Sequence, residues 1–232
     1  MKVDFLKKEQ IEAATLELIQ AYGKKYGEVS LPVPVEEMLE CHLGLSLEFG
    51  DLKDVTGFED VLGATWIKNR RVVIDTQLDP TENPDKVGRY RFTLAHEVGH
   101  WQLHRIYFEI DPLQRTIFDA ATSRPSIVCR SSNKEPMEWQ ADTFASYLLM
   151  PAHLVEAVWR EEHGSSVAYQ AAGEISALGQ RFGTERPTID IAKRMAARFK
   201  TSGQAMQIRL TELRLINAAA PTATIFDTKS AT

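Results

Sequence analysis

The string His96-Glu97-Val98-Gly99-His100 dictates more local structure than any other part of this chain. Two imidazoles four residues apart leave the backbone from one face only if that backbone is helical, where they stand on successive turns. On such a helix both can bind one tetrahedral zinc ion, and Glu97 lies beside the coordination position that stays open. The competing reading is a helix with two surface histidines and a solvated glutamate. A third protein ligand is what separates the two.

His104, one further turn along, is the first candidate for that ligand and fails on distance. A rise of about 1.5 Å per residue puts it about 12 Å from His96, too far for both to share an ion with His100 between them. A packing or supporting role beside the ligands is left for it. The longer H-E-x-x-H-x-x-G-x-x-H pattern is excluded, because Leu103 and Ile106 occupy the positions that need glycine and histidine. Glu138, in Glu138-Trp139-Gln140-Ala141-Asp142, is the better ligand: it lies on a separate predicted helix and shares a face with Asp142 one turn later. Asp142 would then accept the free ring N–H of a ligating histidine. Ala141 and Ala145 are small enough to let the two helices approach closely.

These strings together resemble the ImmA/IrrE metallopeptidases of bacteria and their mobile elements. The resemblance is carried by Arg91 to His100 with His104, by Glu138 to Ala145, and by Leu148-Leu149-Met150-Pro151. It extends loosely from the first helix through Pro151, and Ile208-Arg209-Leu210 with Leu213 and Leu215 is similar to the family's C-terminal helical segment. It implies a zinc peptidase, with another divalent ion such as Mn2+ as the alternative cofactor. His96, His100 and Glu138 would be the ligands and Glu97 the general base. The expected partner is a protein substrate, a helix-turn-helix transcriptional repressor whose cleavage releases stress or mobile-element genes. Tyr107, Tyr147 and His153 are equally eligible donors to the tetrahedral intermediate.

Charge and composition narrow the setting. A formal charge of −5 gives no overall basic footprint for nucleic acid or a membrane surface. The N-terminal MKVDFLKKEQIEAATLELIQ is amphipathic and interrupted by glutamates, unlike a secretory leader, and no window reaches the apolar length of a membrane span. Cys41 and Cys129 form no C-x-x-C pair. A cytoplasmic protein is expected.

Apolar residues Leu6, Ile11, Ala14, Leu18 and Ile19 predict a first helix stopped by Gly23 and Gly27. A short helix over Val35 to Cys41 and a strand over Leu43 to Phe49 follow. The segment LGATWIKNRRVVIDTQ then reads as a hairpin turning at Lys68-Asn69-Arg70. Its first strand, Gly63 to Ile67, is expected to pair with an extended substrate. The stretch up to Asn133 fits loop and short helix equally. Pro136 opens a helix, Pro151 the next, and two helical runs flank Thr201-Ser202-Gly203.

The expected fold is α+β: a mainly helical, zincin-like peptidase core with a small β-sheet over residues 1–163, a helical, helix-turn-helix-like segment over 164–216, and a tail over 217–232. The C-terminal helices carry the main rival reading. Lys193, Arg194, Arg198, Lys200, Arg209 and Arg214 face only Asp190 and Glu212, a local charge of +4 that suits a DNA- or repressor-binding regulator with a structural or sensory metal.

Overall fold

The computed structural model describes residues 3–109, 125–130, 135–165, 167–171, 173–175 and 187–217. The expected tail from residue 218 onward, and most of the stretch before Asn133 that suited loop or helix, lie outside the described residues. The architecture is α+β with a mainly helical core and a small mixed sheet. It divides into two compact units, Met1–Pro151 with Arg198–Thr201, and Ala152–Ala197 with Ser202–Thr232.

In the first unit, α1 (Lys8–Tyr26) buries Ile11, Thr15, Leu18, Ile19 and Tyr22, the spacing of one helical face. Gly23 does not end it. The helix runs one further turn and stops at Gly27, whose φ of 100° few other residues adopt. A short α2 (Val35–Glu37) continues as a wider π-turn over Met38–His42. Strand β1 (Ser46–Gly50) is followed by α3 (Leu52–Thr56), and then by the expected hairpin of β2 (Val61–Trp66) and β3 (Arg71–Asp75).

The sheet order is β1-β3-β2-β4, with β4 at Ile127–Arg130; β1 runs parallel to β3, and the other pairings are antiparallel. This order corrects one expectation. Strand β2 lies inside the sheet, with β3 on one side and β4 on the other from Val61↔Arg130 to Thr65↔Ile127. Its backbone donors and acceptors are already committed, so it has no edge to offer a peptide. A register shift between Val61 and Gly63 marks a bulge in β2. Beyond it Gly63 and Thr65 share one face, while Ala64 and Trp66 join Leu52, Val61 and Val73 in a buried cluster.

The face bearing Gly63 and Thr65 is covered by α4 (Val87–Glu109), which carries the H-E-x-x-H string. Helix α5 (Pro136–Leu149) packs along α4 and touches α1 as well, and it buries Glu138, Gln140, Ala141, Phe144 and Ala145. The close approach is made by Gly99: a Cβ there would lie 3.1 Å from Phe144 Cβ and 3.2 Å from the Ala141 carbonyl oxygen.

The second unit contains α6 (Ala152–His163), a two-stranded parallel sheet of β5 (Tyr169–Gln170) and β6 (Ile216–Asn217), most of α7 (Asp190–Phe199), and α8 (Gly203–Glu212). Ser202 caps α8, its side chain accepting from the Ala205 N–H at 3.1 Å. Several cations of this region are engaged within the unit. Lys193 pairs with Asp190 at 3.0 Å, Arg194 with Glu162 at 3.3 Å, and the buried Arg209 with Glu212 at 3.5 Å. Among the described residues no helix is long and apolar enough to cross a membrane.

Candidate metal centre

Six polar side chains of α4 and α5 are buried together: His96, Glu97, His100 and His104 from the first, Glu138 and Gln140 from the second. Burying so many polar groups is costly unless each meets a partner. Some of those partners are protein groups. His96 Nδ1 lies 2.8 Å from Asp142 Oδ1, and His100 Nδ1 lies 3.0 Å from His104 Nδ1.

The remaining atoms converge on one point. His96 Nε2 and His100 Nε2 are 2.9 Å apart, and Glu138 reaches them with Oε2 at 3.3 Å and Oε1 at 3.4 Å respectively. Ligands bound to a tetrahedral ion by bonds of about 2.0 to 2.1 Å sit roughly 3.3 Å from one another. Two imidazole nitrogens and a carboxylate gathered this closely fit a single divalent cation, and the chemistry of the set suits one. Burial pulls the His100 pKa down to about 4, so its ring is neutral at pH 7, as a ligand must be. At Glu138 burial opposes ionisation. The neighbouring His100 and His96 outweigh that and hold the carboxyl down at about 2, leaving it ionised to meet a cation.

Glu97, next to His96 on α4, faces β2. Its Oε2 accepts from Thr65 Oγ1 at 2.6 Å, while Oε1 is buried with no hydrogen-bond partner among the described residues. Gly63 makes room for it, since a Cβ there would stand 2.6 Å from Oε1 and 2.9 Å from Thr93 Cγ2. Burial pushes the Glu97 carboxyl up to about 7, against the opposing pull of His96 and of the Thr65 hydrogen bond.

The structure thus gathers His96, His100 and Glu138 into one cluster, with Asp142 on His96 and His104 on His100. It commits the Tyr107 hydroxyl elsewhere: that oxygen accepts from the Asp4 N–H at 3.1 Å and donates to Asp4 Oδ2 at 3.2 Å. Tyr147 is buried on α5, and His153 lies on α6 in the second unit. Gly63, Thr65 and Gln140 were not singled out by the sequence. The first two lie on a strand whose register against α4 no local pattern announces. Gln140 sits two residues from Glu138, where a helix would ordinarily turn it away.

A buried pair of histidines and a glutamate, with a second carboxylate against the next strand, is the arrangement of a metallopeptidase. The family model for the IrrE N-terminal-like domain, peptidase M78, matches residues 55–211, and the chain belongs to this family. No curated protein matches the chain significantly.

Proposed function

We propose that this protein is a zinc-dependent endopeptidase that works in the cytoplasm and cleaves a partner protein, a helix-turn-helix transcriptional repressor, to release stress or mobile-element genes. The observation that carries the reading is the convergence of His96 Nε2, His100 Nε2 and the Glu138 carboxylate inside the protein. Zinc held there would polarise the scissile carbonyl and lower the pKa of water. Glu97 is the general base. Its unpartnered Oε1 accepts a proton from the attacking water and returns it to the departing amine, while Thr65 holds the other oxygen. Glu138 and the two imidazoles would hold the ion, and Asp142 orients His96.

An extended substrate would add to β4, whose partner-free side is the rim of the sheet among the described residues. This replaces the inner strand β2 as the docking edge. The pairing of Lys193, Arg194 and Arg209 with carboxylates of their own unit favours a packing role for the C-terminal helices over a DNA-binding one.

The test is metal analysis after zinc loading, with co-expression beside a candidate helix-turn-helix repressor. One zinc per chain is expected for the wild type and none for His100→Ala, with repressor fragments produced by the wild type and not by Glu97→Gln. A wild-type protein that retains no divalent ion would overturn the proposal.

A further inference from the structure

Behind His100 runs a chain of hydrogen bonds with only one workable direction. It starts at the backbone carbonyl of Asp4, which accepts from Gln140 Nε2 at 2.9 Å. A carbonyl can only accept, so the amide of Gln140 is held one way round; turned over, it would set two oxygens against each other. Its Oε1 therefore faces His104 Nε2, at 3.0 Å. An amide oxygen also only accepts, so the proton of His104 sits on Nε2 and the lone pair of its neutral ring on Nδ1. That lone pair lies 3.0 Å from His100 Nδ1, which must then be the N–H of its own ring. His100 is left with its lone pair on Nε2, the atom that meets His96 and Glu138.

We infer that Gln140, anchored by the Asp4 carbonyl, is a positioning residue that sets, through His104, the tautomer in which His100 binds the metal. The inference rests on the metallopeptidase reading for its purpose, and on the hydrogen-bond directions for its content. His104, Gln140 and His100 are all buried, so water does not compete for these bonds.

The anchor is itself held from both helices. Asp4 exchanges two hydrogen bonds with Tyr107 of α4, and Phe5 stacks on Trp139 of α5 with ring centroids 5.6 Å apart. The segment before α1 thereby takes part in holding a ligand it never touches. His96 is served differently, by the direct contact of its Nδ1 with Asp142, which is largely exposed.

The decisive experiment reads tautomers directly, in long-range proton–nitrogen spectra of the protein labelled with 15N-histidine and stripped of metal by a chelator. The wild type should show His100 protonated on Nδ1 and His104 on Nε2. In Gln140→Leu the His104 preference should disappear and His100 should gain the Nε2-protonated form. Zinc affinity by chelator competition should fall on the order of 10- to 100-fold in that variant, the range found when a ligand loses its supporting hydrogen bond. His104→Gln should keep near wild-type affinity, because its amide can accept from His100 and donate to Gln140, whereas His104→Leu should not. If Gln140→Leu does not fold, this second pair decides the matter.

Unchanged His100 tautomer and unchanged affinity in a folded Gln140→Leu protein would overturn the relay, as would equal affinities of His104→Gln and His104→Leu. A wild type that binds no zinc would defeat the metallopeptidase reading instead, and the spectra would still decide whether the relay exists.

Discussion

The two flanks of α4 hold their residues by opposite means. Toward α5, His96 and His100 are each tied through Nδ1 to a side chain, and the helices meet through polar groups with defined directions. Toward β2, Glu97 is held by one hydrogen bond from Thr65 and by the backbone surface of Gly63, and one of its oxygens has no partner among the described residues. A ligand gains from having every proton placed, because a wrong tautomer cannot bind. A base gains from an oxygen kept unsatisfied, because burial then raises its affinity for a proton. The difference predicts that damage on the first flank will be read as metal affinity, and damage on the second as catalysis.

The sharpest break in that comparison is Glu97→Gln, which keeps shape and removes only the proton acceptor. Turnover of the protein substrate should drop by about 10²- to 10⁴-fold while zinc content stays at the wild-type level. Measurement of both in one preparation checks it; lost zinc with retained turnover would reverse the assignment of the flanks. Asp142→Ala acts on the other side and should lower zinc affinity by roughly 10- to 100-fold, toward the smaller figure because Asp142 is largely solvated. A chelator titration reads that number, and complete loss of metal would make Asp142 a direct ligand.

Gly63→Ala should disturb the second flank sterically. The added methyl would stand 2.6 Å from Glu97 Oε1, so the carboxylate must move, at a cost of about 1 to 3 kcal/mol in stability. Urea denaturation gives the stability, and kcat/KM should fall while zinc affinity holds. Thr65→Val carries the smallest effect. Activity needs ionised Glu97 and is lost as pH falls through its pKa; removing a hydrogen bond that favours the charged form raises that pKa. The acid limb of the pH–rate profile should therefore move to higher pH, by less than about one unit. A shift to lower pH would mean that Thr65 is not a donor to the carboxylate.

The α5 flank could be read ahead of the structure to a large degree, and the β2 flank hardly at all. His96 and His100 stand at a spacing that a helix converts directly into a shared face, as do Glu138 and Asp142, a pair that is weak alone and gains weight only downstream of the H-E-x-x-H string. Gly63 and Thr65 reach Glu97 only because a strand is laid across α4 in one register, shifted by the bulge after Val61. The inner place of β2 was hidden for the same reason, since its second neighbour, β4, arrives some sixty residues later in the chain. Gln140 escaped because α5 packs on two sides, and a side chain in the seam between α4 and the N-terminal segment belongs to neither face of a helical wheel. The helical elements and the hairpin were visible in apolar periodicity and in the Pro and Gly breaks, and Gly23 inside α1 shows where such punctuation misleads.

Gly99 gives the two ligand-bearing helices a shared fate. Two of the donors stand on α4 and the third on α5, and the distance between those halves is set where Gly99 lets Ala141 and Phe144 come so close that a Cβ built on it would lie just over 3 Å from both. A glycine inside a helix costs about 1 kcal/mol relative to alanine, so the position is held against local preference. One methyl group there would have to part the helices by a few tenths of an ångström, carrying the carboxylate away from the imidazoles without altering any atom of the donor set. Substitutions at 99, 141 and 144 should accordingly be non-additive in their effect on the ion, each tolerated only in the company of a compensating loss across the seam. The calibre of the cage is written in a carbon atom the chain omits.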